Sequence, residues 1–389
     1  MNAASGSMKD SQVPVFGWDV GGAHVKVSMT RRTGTHVDVA EVIDVAQWAC
    51  PLWQGLAHLE RAIDGVFERW PAAADASARH AVTMTGEMVD LFPDRAEGVC
   101  TLAHVIAQRL GPRTVFYAGG ARQGGWLTRS ACADGWRRVA SANWLATAQW
   151  VAASLPDALL VDIGSTTTDI IPIVAGRVAA RGWNDAERLA SGELVYQGVV
   201  RTPLCGVAHR IAFRGETTGV ANEWFATTAD VYRLTGELWP EHDQHPSADN
   251  GPKTEAASRA RIARMIGRDA AQASDAEWRQ FAQTWRHEQL RTLADNLVCV
   301  SARHPALAAA PLVGAGCGRF LAAALAGQEA RGYVDFALLA AVAGKEAERA
   351  EWVSTCAPSV AVALLASKAM IDAASHDANL LDGASSRVA

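Results

Sequence analysis

The chain has 389 residues, 49% of them hydrophobic and 20% charged, and a net charge of −5 from 36 basic and 41 acidic side chains. That length allows two domains of about 100–200 residues, each with a full core. The absence of a basic run argues against nucleic acid as a partner, and seven singly placed cysteines with no Cys-x-x-Cys pair argue against a disulfide framework. The opening stretch Met1–Pro14 is polar with no apolar core, and no apolar run reaches ~18 residues, so neither a signal peptide nor a membrane span is expected and the location reads as cytoplasmic.

In chain order, Val15–Val27 reads as strand, tight turn and strand, and Thr35–Val45 as a further strand. Leu56, Leu59, Ile63 and Phe67 follow at helical spacing. His80–Thr85 is a short buried strand, Leu102–Leu110 a helix, Thr114–Ala118 a strand, and Ala142–Ala153 a helix stopped by Leu155-Pro156. The domain boundary is placed there, giving domains 1–156 and 157–389. The second half opens on another strand–turn–strand, Leu159–Ile170, and then turns helical at Arg259–Ile266, Asp275–Ala294 and Phe320–Ala326. Pro240–Pro252 is a polar loop, Pro311–Arg319 an apolar strand running through glycines into a helix, and Val360–Met370 a last apolar helix before a frayed tail from Ser375. The fourteen tryptophans are expected to anchor core.

The two strand–turn–strand segments echo each other. Setting Asp19 on Asp162 places Gly21 on Gly164 and Val27 on Ile170 without a gap. Each has an acid at the strand end, a glycine two residues later, small residues and a second apolar run. A tight Asp-x-Gly turn presents backbone N–H groups to phosphate oxygens, glycine lets the anion approach closely, and the aspartate can hold Mg²⁺ beside those phosphates. The duplication implies two related α/β domains facing each other across a cleft.

Asp19-Val20-Gly21-Gly22 and Asp162-Ile163-Gly164-Ser165-Thr166-Thr167-Thr168-Asp169 resemble the two phosphate loops of the acetate and sugar kinase, Hsp70 and actin superfamily, and in particular its hydantoinase/oxoprolinase-related branch. The resemblance implies two ribonuclease-H-like domains, with Gly314-Ala315-Gly316-Cys317-Gly318 where the superfamily has its adenosine loop. A narrower resemblance runs from Val15 to Ala326. It is carried by Gly17–Lys26, Pro51–Gly55, Met84–Phe92, Ser141–Trp144, Gly192–Tyr196, Gly198–Pro203 and Thr228–Tyr232. These are similar to the tetrahydromethanopterin-linked C1-transfer proteins of methylotrophs, which resemble the methanofuran-biosynthesis synthase of methanogens. That resemblance implies transfer of an (aminomethylfuranyl)methyl group from its diphosphate to the phenol of a tyramine- or tyrosine-type acceptor.

On that reading Asp19 and Asp162 lie near Mg²⁺, while Gly21, Gly22, Gly164, Ser165, Thr166, Thr167, Gly314 and Gly316 line the phosphate loops. Lys26 and Lys253 supply cationic contacts. Glu87 follows an apolar strand and is the expected base for the phenol, whose unperturbed pKa is about 10. Glu193 stabilises cation character at the furanylmethyl carbon or binds the aminomethyl cation, and Arg201 binds a substrate carboxylate or pairs with a neighbouring acid. His24 is expected to pack within the hairpin. In the polar loop the related proteins have an Ala-Asp-Gly stretch before Lys-Thr, whereas this chain has Ala248-Asp249-Asn250-Gly251 before Lys253-Thr254, and the resemblance implies Asp249 and Lys253 as its substrate contacts. Partners are expected to be small molecules, with neither nucleic acid nor membrane, and a homodimer is expected. The alternatives are an ATP-dependent kinase or hydantoinase/oxoprolinase-type ATPase, disfavoured by the mostly apolar Gly22-Ala23-His24-Val25, and a nucleotide-sensing scaffold without turnover.

Overall fold

The computed structural model describes residues 13–32, 40–120, 124–344 and 347–369. The expected strand start at Thr35, the tail from Ser375 and most of the polar opening stretch lie outside them. The chain divides into two compact units, 1–150 with 337–389, and 151–336.

In the first unit, β1 (Val15–Val20) turns into β2 (His24–Arg32), which pairs with β3 (Ala40–Ala49). Then follow α1 (Ala57–Arg69), β4 (Arg79–Met84), α2 (Arg95–Leu110), β5 (Thr114–Ala118), β6 (Gly125–Leu127), α3 (Cys132–Val139) and α4 (Asn143–Ser154), the last straddling the division. The sheet order is β3-β2-β1-β4-β5-β6. It is antiparallel through β1, β2 and β3 and parallel from β1 to β4 and β5. β1 is buried at every position, as a central strand covered on both faces must be. α1 buries Leu59, Ile63 and Val66 along one stripe.

The second unit runs β7 (Ala158–Ile163), β8 (Thr168–Val174), β9 (Arg177–Val178), α5 (Asp185–Ser191), β10 (Leu194–Val195), β11 (Arg210–Phe213), β12 (Glu216–Gly219), α6 (Thr228–Thr235), α7 (Glu255–Arg264), α8 (Asp275–Ser301), β13 (Leu312–Ala315), α9 (Arg319–Gln328) and β14 (Tyr333–Asp335). Its sheet order is β10-β8-β7-β13-β14. β7–β8 is antiparallel, and β7–β13 and β13–β14 are parallel. Both sheets thus follow one plan, an antiparallel hairpin with parallel strands added beside its first strand. This is the ribonuclease-H-like arrangement, and the chain is an α/β protein of the acetate and sugar kinase/Hsp70/actin type. Each unit has its own core: Phe16, Trp18, Ile63 and Leu102 lie in the first, and Leu159, Trp278, Phe281 and Trp285 in the second.

The expected boundary needs correction at both ends. The division falls within α4 rather than after residue 156, and the stretch from Ala337 onward belongs to the first unit. That stretch carries α10 (Ala347–Thr355) and α11 (Ala357–Ala369). The reason is packing against β1. A Cβ on Gly17 would lie 2.0 Å from the Ser359 carbonyl oxygen and 2.7 Å from the Ala363 Cβ, so only glycine admits α11 here. Ser28 Oγ on β2 donates to that same carbonyl at 2.9 Å. The apolar face of α11 is therefore core, with Val360, Val362 and Leu364 buried. Among the described residues no single helix is long and apolar enough to cross a membrane.

Candidate functional site

The sequence echo is reproduced in three dimensions. In the β1–β2 hairpin Asp19 faces Lys26, and in the β7–β8 hairpin Asp162 faces Asp169 at the equivalent register. Both turns close with the same bond, Gly21 N–H to the His24 carbonyl at 2.9 Å and Gly164 N–H to the Thr167 carbonyl at 2.8 Å. Asp19 and Asp162 are both buried, at 5% and 8% exposure. Each hairpin also meets its parallel neighbour at the acid: Asp19 stands beside Thr83 of β4, and Asp162 beside Ala315 of β13.

In the first unit the turn is clamped from outside, Leu52 N–H donating to the Gly22 carbonyl at 3.0 Å and Cys50 N–H to the Ala23 carbonyl at 2.8 Å. A Cβ on Gly22 would lie 2.8 Å from Val89 Cγ1, so that glycine is fixed by the segment after β4. Glu87 lies in a short 3-10 turn, Gly86–Met88, directly after β4. This turn abuts the first loop, since a Cβ on Gly86 would lie 3.2 Å from the Val20 carbonyl oxygen and 3.4 Å from that of Gly21. Glu87 is 1% exposed, and its Oε1 accepts a hydrogen bond from Ser141 Oγ at 2.8 Å. His24 is buried in the hairpin at 6% exposure.

In the second unit the segment Gly198–Thr202 packs directly on the Gly164–Thr167 turn. Val199 N–H donates to the Gly164 carbonyl, and Val200 and Arg201 N–H both donate to the Ser165 carbonyl, at 3.1 and 2.8 Å. A Cβ on Gly198 would lie 2.4 Å from the Thr166 nitrogen. This contact sets the Arg201 guanidinium against the loop, with Nη1 3.5 Å from Thr166 Oγ1. Burial pushes the Arg201 pKa down from its ordinary value, and the nearby Tyr196 phenol partly opposes that shift. Ser165 and Thr166 hydroxyls lie 3.4 Å apart. A half-buried cation beside paired hydroxyls on a tight turn is suited to an anionic group. The glycine loop after β13 also reaches this acid: at Gly316, where φ is +80°, a Cβ would sit 2.6 Å from Asp162 Oδ1 and 2.2 Å from the Ile163 carbonyl oxygen.

Other expected site residues are placed differently. Glu193 is 1% exposed and both its carboxylate oxygens accept backbone N–H groups, from Arg181 at 2.7 Å and Gly182 at 2.9 Å. It clamps the strand-to-helix loop before α5, and the expectation of a substrate contact is withdrawn. Gly314 is within β13, where its missing Cβ makes room for the Tyr333 ring, so it serves packing rather than the loop. Asp249 accepts from Arg261 at 3.0 Å and Arg264 at 3.3 Å. Burial alone would raise its carboxyl pKa, but the Gly251 N–H, Arg261 and Ser247 hold it below the usual range. Lys253 is paired with Asp243 at 3.2 Å. Both therefore join the ionic network of α6, α7 and the 240–254 loop, in which Arg261 also grips Asp230 at 2.8 Å.

Three features carry no assignment in the sequence reading. Ser141 is one. Asp169 with its Arg188 partner at 2.5 Å is another; the position of Asp169 opposite Asp162 was available from the echo, whereas nothing in sequence points from it to α5. The third is Thr83, whose buried hydroxyl has no hydrogen-bond partner among the described residues. For Mg²⁺, no cluster of three or more His, Cys, Asp or Glu among the described residues could hold a metal. The donors available are single strand-end carboxylates, with the Thr83 hydroxyl beside Asp19. They fit a cation held by one carboxylate, its own waters and substrate phosphates, which is how Mg²⁺ is commonly bound, rather than a resident metal cage.

Two ribonuclease-H-like sheets, each ending its first strand in an aspartate and a registered glycine turn, define a member of the acetate and sugar kinase/Hsp70/actin class. Within it, a family model described as hydantoinase/oxoprolinase matches residues 80–337, and the chain belongs to that family. The chain is similar to the "(4-{4-[2-(gamma-L-glutamylamino)ethyl]phenoxymethyl}furan-2-yl)methanamine synthase" of Methanocaldococcus jannaschii, with 29% identity over 75% of this chain and 83% of the relative. A Methanococcus vannielii protein of the same name is 35% identical over 38% of this chain and 65% of its own length. Among solved structures, component A of the Acidaminococcus fermentans (R)-2-hydroxyglutaryl-CoA dehydratase aligns over 92% of this chain and 98% of its own, at 11% identity and a TM-score of 0.43.

Proposed function

We propose that the chain is a transferase of methanofuran- or methylofuran-type C1-carrier biosynthesis, joining an (aminomethylfuranyl)methyl diphosphate to the phenol of a tyramine- or tyrosine-type acceptor. The C–O bond between the furanylmethyl carbon and diphosphate breaks, the aryl ether C–O bond forms, the phenolic proton passes to a base and diphosphate leaves. The phenoxymethyl-furan named in the relatives is the ether such a step makes. The observation that carries the reading in this chain is the second turn, where Arg201, Thr166 and Ser165 gather on a glycine-closed loop beside Asp162.

In this reading Arg201, Ser165, Thr166 and Thr167 hold the diphosphate oxygens at the turn of the second unit, and the Gly21–Gly22 turn is the phosphate loop of the first. Lys26, across from Asp19, contributes positive charge. Asp19 and Asp162 each stand at the phosphate turn of their own unit as a carboxylate that would hold Mg²⁺, and the ion would neutralise charge developing on the leaving diphosphate. Glu87 accepts the phenolic proton as the ether forms. The substrates are small molecules, and the reaction is assigned to the cytoplasm. A second reading, an ATP-dependent kinase or hydantoinase/oxoprolinase-type ATPase, draws on the packing of Gly316 against Asp162.

Diphosphate binding tests the cradle directly. Titration calorimetry with Mg²⁺ should show saturable binding of inorganic diphosphate, and Arg201→Ala should weaken it by about tenfold or more, the worth of one charge-assisted contact. Asp162→Asn should abolish turnover with the far-ultraviolet dichroism unchanged. Equal diphosphate affinity in Arg201→Ala, or near-normal turnover in Asp162→Asn, would remove that residue from the site.

A further inference from the structure

Five non-glycine residues among those described have positive φ: Ser141, Ala175, Arg214, Asn250 and Ala330. Four of them are exposed, as turn residues commonly are. Ser141 is the exception, with φ +50° and 7% exposure between α3 and α4. Left-handed backbone at a buried non-glycine residue is held only where the surroundings over-determine it, and such sites concentrate where a group must be aimed. Here the side chain so aimed donates its hydroxyl to Glu87 Oε1 at 2.8 Å and lies 3.5 Å from Met88 Sδ.

The acid is gripped from its other sides as well. A Cβ on Gly98 of α2 would lie 2.7 Å from the Glu87 carbonyl oxygen and 2.9 Å from its Cα and Cβ, so α2 closes on the backbone at this point. Gly86 presses the same short turn against Leu52 and the first loop. Backbone packing therefore fixes where Glu87 stands, while rotation of its carboxylate is left to hydrogen bonds, and the Ser141 hydroxyl supplies one from the chain reversal between α3 and α4.

We propose that Ser141 is a positioning residue for Glu87, its left-handed backbone directing one hydroxyl donor that sets the orientation of the carboxylate. The chemical consequence rests on the reading of Glu87 as the base; the hydrogen bond and its strained support do not. Glycine relaxes at φ +50°, so Ser141→Gly removes the donor while keeping the fold, and Ser141→Ala removes the donor while keeping a side chain.

Two readouts test this. With acceptor and furan diphosphate, both variants should lower kcat by roughly 10- to 100-fold, the size of effect a misplaced catalytic group produces, with KM changed less than twofold. In a Glu87→Gln background the same substitutions should cost nothing further, because Ser141 acts only through that carboxylate; an equal loss in both backgrounds would overturn the proposal. Infrared difference spectra of ¹³C-glutamate-labelled protein, with the Glu87 band identified as the one missing in Glu87→Gln, should show that band shifted in Ser141→Gly. An unmoved band would overturn the proposal whether or not the protein makes ether. A shifted band in a protein that makes no ether would sustain the positioning role and sink the transferase reading.

Discussion

His80 on β4 is 1% exposed, accepts a hydrogen bond from Trp18 Nε1 at 3.1 Å and stacks on Phe16. Burial pushes its pKa down to about 4, with the Ala73 carbonyl partly opposing. The unfolded chain takes up this proton near pH 6.5 and the folded protein only near 4, so the contribution to stability is complete above about 6.5 and is lost as pH falls through that window, by about 3 kcal/mol in all. His80→Gln keeps an acceptor for Trp18 without titrating. Urea unfolding at pH 7 and pH 4.5 should show a smaller loss of stability in His80→Gln than in the natural chain; equal losses would contradict the assignment. At this scale sequence is a partial guide. Gly86-Glu87 and Gly192-Glu193 read alike, yet one acid meets a side-chain hydroxyl beside the first loop and the other is consumed by two backbone N–H groups. The donors come from chain segments whose approach leaves no mark in the residues flanking either glutamate.

Elements were legible where a local rule sets them. The two hairpins could be read because acid, glycine and apolar runs repeat in register, and both turns close identically. Thr114–Ala118 forms as expected, while α2 and α7 begin ahead of their expected stretches, α7 ending at Arg264 rather than Ile266, and α8 runs on from Ala294 to Ser301. Asp94 caps α2 ahead of Leu102, Thr254 caps α7, and Ser274 with Glu277 forms a capping box on α8. β10 and β14 have two and three residues, too short for any periodicity to show. The return of α11 to β1 was illegible because its only sequence trace is one glycine in a strand, Gly17. Gly17→Ala places a methyl against the Ser359 carbonyl and should cost about 1–3 kcal/mol as overpacking, seen as a lower urea midpoint. An unchanged midpoint would show that α11 is not held there.

At the scale of the whole molecule, one plan of sheet is used twice on different cores, and the copies have diverged at the residue facing the strand-end acid. The first unit places Lys26 opposite Asp19, whereas the second places Asp169 opposite Asp162 and brings the cation, Arg188, from α5. Family membership and the hairpin plan were readable from the residues, but the identity of the transferred group was not, because a phosphate turn serves any phosphorylated ligand. The central claim is therefore tested by product. Purified protein with Mg²⁺ would be given the (aminomethylfuranyl)methyl diphosphate and γ-glutamyltyramine or a tyrosine-type acceptor, with ATP and a furanyl alcohol or monophosphate in parallel, and the products read by mass spectrometry. A transferase yields acceptor-dependent aryl ether and diphosphate with ATP untouched; ADP and a phosphorylated furan, without ether, would make the protein a kinase instead.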